Sequence, residues 1–113
     1  MISPARGSVW FADLDPIRGH EQGGRRPIIV ISDDLFNQSA AELVIVVPIT
    51  SKPKGIPWHI PIHPPEAGLK QLSFAKCEDV RSISKLRLSS RLGELLPQTL
   101  ALIDDRLKIL LKL

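Results

Sequence analysis

Ten prolines punctuate this 113-residue chain, and their spacing decides most of what it can become. Inside a helix a proline removes a backbone donor and clashes with the preceding turn; in a sheet it is confined to edges, strand starts and bulges. Pro16, Pro27, Pro48, Pro53, Pro57, Pro61, Pro64 and Pro65 cut the chain into short pieces. The apolar pieces among them, Ile28–Ile31 and Leu43–Val47, are mostly β-branched and read as strands. A sustained helical period appears only after Pro97, where Leu100, Ile103, Leu107 and Leu110 recur on one face. Pro97 itself suits the first position of a helix, so residues 97–112 are predicted to form an amphipathic helix packed on a sheet.

In chain order, strands are predicted at residues 8–14, 27–32, 43–50, 58–62 and 92–95. Residues 69–81 read as one long bent strand or two short ones, and residues 35–40 and 84–88 as brief helical turns. The run after Pro27 is apolar on both faces and belongs in the middle of a sheet. Pro48 points to an edge or a bulge near the end of its strand. The expected fold is mainly β with appended α: a small, strongly curved antiparallel sheet or barrel plus a C-terminal helix, one domain over residues 1–113.

The longest apolar runs fall far short of the ~20 residues a membrane span needs, and residues 1–7 lack a signal-peptide core. A single cysteine, Cys77, excludes an internal disulfide and fits a cytoplasmic protein. The net charge of +3 suits a polyanionic partner, although 12 acidic residues are mixed with 15 basic ones. Three Phe, two Trp and no Tyr argue against an aromatic platform for stacking bases.

The densest chemistry lies in Gly19-His20-Glu21-Gln22-Gly23-Gly24-Arg25-Arg26-Pro27, directly ahead of the apolar run. A solvated hairpin loop is the plain reading of such a stretch. Metal, phosphate-loop and hydrolase-elbow motifs are missing: His59 and His63 share a face in extended chain, but one thiol and two histidines do not make a structural zinc set. What remains is a site of His, Arg, Thr, Lys and Glu without metal or cofactor. Those residue types fit phosphodiester cleavage by the RNA's own 2′-hydroxyl, which needs a base, an acid and cations for the charge growing on phosphorus. The His20 imidazole is of a type that serves as acid or base, Arg26 suits a phosphate fork, and Thr50 and Ser51 offer hydroxyl donors. Taken singly, each has a structural alternative: a loop histidine, a salt-bridge anchor, a strand-end cap.

The chain resembles the MazF/PemK toxins along nearly its whole length. Gly7-x-Val9-x-Phe11-Ala12-Asp13-Leu14-Asp15-Pro16, Gly19-His20-Glu21-Gln22-Gly23-x-x-Arg26-Pro27 and Pro48-Ile49-Thr50-Ser51 carry the resemblance. Ser73-x-x-x-x-Glu78-x-x-Arg81-x-Ile83, Arg87-Leu88 and Gly93 continue it. It implies an SH3-like barrel of the CcdB/PemK kind, homodimeric, acting in the cytoplasm as the toxin of a type II toxin–antitoxin pair. The activity implied is a sequence-specific, metal-independent endoribonuclease that cuts single-stranded mRNA to 2′,3′-cyclic phosphate and 5′-hydroxyl ends. A cognate MazE/PemI-like antitoxin would inhibit it and bind DNA together with it.

By that resemblance Arg26 and Thr50 take the catalytic roles of the MazF branch. His20, with Lys76 and Glu78 flanking Cys77, takes those of the PemK branch. Lys76 stands where that branch has arginine and so loses a bidentate fork; Glu78 stands for aspartate and reaches one methylene further. RNA contacts are expected from Gln22, Arg25, Ser51, Lys52, Lys54, Trp58 and Ser73, with Glu21 lining the same surface and pairing with Arg25 or Arg26 to hold the loop. The rivals are a CcdB-like gyrase poison, which lacks the Glu-Gln-Gly…Arg-Pro loop, and a weakened member that binds RNA or antitoxin without turnover.

Overall fold

The computed structural model describes residues 3–113. It holds seven strands: β1 (Ser8–Asp13), β2 (Arg25–Val30), β3 (Leu43–Thr50), β4 (His59–Ile62), β5 (Ser73–Lys76), β6 (Arg81–Ser84) and β7 (Leu88–Glu94). Helices α1 (Asp34–Asn37) and α2 (Pro97–Leu111) complete it. The strand order is β4-β5-β3-β2-β1-β7, with β6 also on β3, and every pairing is antiparallel. The expected mainly-β architecture with a closing C-terminal helix is what the chain adopts.

β2 sits inside the sheet, as its unbroken apolar run predicts. Ile29 joins Val9, Val47, Ile49, Ile103 and Leu107 in one core, while Ile28 and Val30 join Ala12, Leu14, Val44 and Val46 in a second. Ile28, Ile29 and Val30 are fully buried, each stabilising the fold by roughly 1.5–3 kcal/mol through lost apolar exposure.

Pro48 lies in a central strand with no register shift against β2, at neither the edge nor the bulge expected there, and the topology explains why it is tolerated. Ile45 turns its carbonyl toward Ile31 and its N–H toward the Ser32 hydroxyl, both beside β2. By strand alternation Pro48 faces the opposite side. There β3 changes partner, pairing with β6 through Val46 and with β5 from Ile49 onward. The missing donor therefore falls in the gap between two ladders.

Residues 69–81 resolve into the two-strand alternative, β5 and β6 being separated by a 3-10 turn at Cys77–Asp79. A second such turn, Lys85–Arg87, is capped by the Ser84 hydroxyl accepting from Leu86 N at 3.2 Å. β7 begins at Leu88, earlier than the predicted residue 92. Its first half, Ser89-Ser90-Arg91, is exposed and pairs on one side with β1 through register shifts, so it carries no apolar signature.

The turn Glu66–Gly68 folds back onto β7. A Cβ on Gly93 would lie 2.8 Å from the Ala67 carbonyl carbon, which shows how closely the two backbones approach. This contact draws the β4 and β7 ends of the strand order toward each other and rolls the sheet up.

α2 starts at Pro97 without a side-chain cap and buries Thr99, Ile103 and Leu107, with Leu100 and Leu110 packed at the margin of the core. Arg6 pairs with Asp104, and Arg106 donates to the Pro57 carbonyl at 2.9 Å, fastening the helix at two points. Among the described residues no helix is long and apolar enough to cross a membrane.

Candidate active site

The β1–β2 hairpin runs in register from Val9↔Ile29 to Asp13↔Arg25, so residues 14–24 emerge as one loop above the sheet. Its base is closed by Leu14 N–H to the Gly24 carbonyl at 2.9 Å and by Gly24 N–H to Asp15 Oδ1 at 2.9 Å. Glu21 Oε1 accepts from Arg18 N at 2.6 Å, winding the tip into a tight turn.

Three side chains from the β5–β6 segment strap this loop down. Lys76 Nζ donates to the His20 carbonyl at 3.0 Å. Asp79 Oδ2 accepts from Gln22 N at 2.7 Å. Arg81 donates through Nη2 to the Gln22 carbonyl and through Nη1 to Glu21 Oε2 at 3.5 Å. Glu21 was expected on Arg25 or Arg26, and the difference has a simple cause. Arg25 is exposed and turned to Ser89 Oγ at 3.2 Å, while Arg26 Nε bends back to the Gly23 carbonyl at 2.6 Å. Arg81 is the guanidinium left to pair with Glu21.

The predicted residues gather around two clefts rather than one. Arg25, Arg26, Ser51 and Ser73 line the first, of about 400 Å³, floored by Phe11, Ile49 and Leu92. His20, Glu21, Lys54, Lys76, Glu78 and Asp79 line the second, of about 410 Å³. Gln22 connects them: its N–H is held by Asp79, and its side-chain amide lies beside the Arg26 guanidinium, which its oxygen can accept from in one of its two flip orientations.

Thr50 is buried and lines neither cleft. The last β2–β3 ladder pair is Ile28↔Pro48, so Arg26 and Thr50 each lie two residues beyond it on neighbouring strands. The Thr50 hydroxyl accepts from Lys52 N at 3.2 Å, so its own proton remains free to donate. Lys52 is exposed on the following loop. Ser73 is buried with its hydroxyl on the Gln71 carbonyl at 3.0 Å. Trp58 is half-buried just ahead of β4 and outside both clefts.

Cys77 lies between Lys76 and Glu78 and is fully buried. Burial first, and the neighbouring Glu78 carboxylate second, push its thiol up to about 12, so no thiolate nucleophile is available near neutrality. Asp79 and Arg81 were given no role from the sequence, although Arg81 stands in the quoted Glu78-x-x-Arg81 pattern. His59, weighed there only as a metal ligand, instead lies with Nε2 2.9 Å from Glu78 Oε2.

Chemically, the arrangement offers an imidazole and a carboxylate beside one cleft and a guanidinium with hydroxyls beside the other. An extended polyanion crossing the Gln22 bridge would meet both sets.

The chain is similar to known proteins over nearly its whole length. Residues 5–111 match the family described as PemK-like, MazF-like toxin of type II toxin-antitoxin system. Endoribonuclease MazF9 of Mycobacterium tuberculosis is 37% identical over 113 aligned residues, covering 96% of each chain. Endoribonuclease EndoA of Bacillus subtilis is 35% identical, covering 96% of this chain and 94% of its own. Among solved structures, MazF from Deinococcus radiodurans superposes with a TM-score of 0.88 at 30% identity over the whole of both chains. A MazE-MazF structure from the same organism gives 0.81 at 30% identity, covering 100% of this chain and 99% of that one. A fold shared end to end and a family match spanning the loop and both clefts carry one conclusion: the chain belongs to the PemK-like, MazF-like toxins of type II toxin–antitoxin systems.

Proposed function

We propose that this protein is an endoribonuclease that cleaves single-stranded RNA at chosen sequences, using the substrate's own 2′-hydroxyl and no metal. In that reaction the 2′-oxygen attacks phosphorus, the bond to the 5′-oxygen breaks, and a 2′,3′-cyclic phosphate and a 5′-hydroxyl result. Glu78, beside His20 in the second cleft, accepts the 2′ proton, and His20 returns one to the leaving oxygen. With the scissile phosphate at Gln22 between the two clefts, Arg26 and the Thr50 hydroxyl stabilise the charge on its non-bridging oxygens from one side while His20 and Glu78 face it from the other. Lys76 holds the His20 loop and adds positive charge. Arg25, Ser51, Lys52, Lys54, Trp58 and Ser73 contact the strand on either side, with Glu21 and Gln22 keeping the loop in shape.

The observation that carries this reading is Gln22, held by Asp79 and set between the cleft lined by Arg26 and the cleft lined by His20 and Glu78. The endoribonuclease relatives support it. The MazE-MazF structures, and an endoribonuclease solved with its cognate antitoxin, support a MazE-like antitoxin as the inhibiting partner. The same reading gives a homodimer that acts in the cytoplasm and binds DNA only together with its antitoxin.

The test is direct. Purified protein is incubated with a long mixed-sequence RNA in EDTA, and the ends are mapped. Discrete cuts with 5′-hydroxyl ends are expected, with kcat falling on the order of 10²–10³-fold in folded Arg26→Ala and Thr50→Ala variants. No cleavage at any ratio of protein to RNA rejects the reading.

A further inference from the structure

β4 and β5 run antiparallel with His59 directly opposite Lys76, so both side chains stand on one face of the pair. Both residues are buried. The 3-10 turn Cys77–Asp79 then brings Glu78 back over the same place. His59 Nε2 lies 2.9 Å from Glu78 Oε2, with the imidazole side chain 3% exposed and the carboxylate 28% exposed. The other ring nitrogen, Nδ1, is buried and meets no partner. That pattern selects the tautomer with the proton on Nε2: the N–H donates to the carboxylate, and only a bare lone pair is left unpaired. A buried acceptor without a partner is more readily tolerated than a buried orphan N–H.

We infer that His59 is a positioning residue of the active site, holding Glu78 by one oxygen so that the other is aimed into the cleft shared with His20 and Lys76. This rests on the ribonuclease reading and deepens it. A glutamate has one more rotatable bond than an aspartate and a wider range of positions on a short turn. A fixed donor beneath it removes that freedom. The substrate does not meet His59, which lies under the carboxylate; its effect passes entirely through Glu78. Loss of a contact that holds a reacting group affects turnover more than substrate binding.

Two polar replacements separate reach from burial. The amide nitrogen of His59→Gln occupies the place of Nε2 and can still donate to Glu78, whereas that of His59→Asn stops short. With RNA cleavage as the readout, His59→Asn is expected to lower kcat by about 10–100-fold with KM changed less than about 2-fold. His59→Gln should recover most of that loss. In a Glu78→Ala background His59→Asn should have no further effect on kcat, as expected for residues acting through one contact.

Equal kcat for His59→Asn and wild type, or losses that simply multiply in the double variant, overturn the positioning role while leaving the ribonuclease reading intact. Wild-type protein that cuts no RNA rejects the reading itself. Nitrogen NMR of the imidazole gives an answer independent of variant folding: a wild-type His59 protonated on Nε2, with that resonance moved in Glu78→Ala, supports the contact. A proton found on Nδ1 instead overturns it.

Discussion

Lys76 Nζ and the His20 carbonyl are 3.0 Å apart, joining the end of β5 to a loop 56 residues earlier in the chain. Lys76 is buried while His20 is exposed, so a strand end positions the loop of residues 14–24 through a charge-assisted hydrogen bond. Lys76→Met keeps the length of the side chain and removes the donor. The exposed carbonyl can then bond water, so unfolding free energy should change by less than about 1.5 kcal/mol. Turnover should fall about ten-fold or more because the loop is no longer held in place. Paired denaturation and cleavage assays check both halves; a large stability loss with unchanged kcat contradicts the positioning role.

Arg81 is the larger structural strap, reaching the Gln22 carbonyl and Glu21, with Asp79 Oδ2 4.0 Å away. Its side chain is 18% exposed. Arg81→Ala should cost about 1.5–3 kcal/mol, most of it from the Gln22 contact, because the pair with the exposed Glu21 is worth under about 1 kcal/mol. Hydrogen exchange offers the sharper readout: amides 19–24 should exchange faster in the variant, and β2 and β3 should not.

Much of this was legible in the chain before the fold was known, and the exceptions have physical causes. β3 and α2 follow from apolar period and proline placement, and Leu43–Thr50 is found as predicted. The early start of β7 was hidden because an exposed edge strand needs no apolar face. Pro48 misled for a related reason: only the topology shows that β3 changes partner there. At the site, residue types pointed to His20, Arg26 and Thr50, and only the family resemblance added Lys76 and Glu78. Their division between two clefts was not readable, because it depends on which way the loop leans. The straps Asp79 and Arg81, and the Glu21–Arg81 pair, depend on the same long-range geometry. A local pairing rule naturally nominated Arg25 or Arg26 instead.

Cys77 makes stability depend on pH in the alkaline range. Its thiol is raised from an ordinary value of 9.0 to about 12 by burial and by Glu78. Between those values the unfolded chain releases a proton that the folded chain keeps, so the unfolded state binds fewer protons and stability falls as pH rises. The Cys77 contribution approaches about 1.4 kcal/mol per pH unit in that window and vanishes below it. Comparing urea unfolding of wild type and Cys77→Ala at several pH values isolates it: the gap between the two should narrow above pH 9. At pH 8 the native thiol should resist iodoacetamide and react only on unfolding.

Gly68 tests whether the turn beneath the first cleft fits as closely as its backbone implies. It holds φ +73°, and a Cβ there would come within 2.3 Å of the Leu92 carbonyl oxygen, a main-chain atom of β7 that cannot swing aside. Gly68→Ala should combine about 1 kcal/mol of left-handed strain with a steric term of similar or greater size. Gly55 is the matched control: its φ is +63°, but nothing stands within 4 Å of an added Cβ. Gly55→Ala should therefore show the strain alone, near 1 kcal/mol. The difference between the two urea midpoints measures the close approach of turn and strand. Because Gly68, Lys70 and Gln71 share the cleft wall with Arg26, the Gly68 variant should also raise KM for RNA relative to wild type. Equal urea midpoints for Gly68→Ala and Gly55→Ala contradict the close packing of Glu66–Gly68 on β7.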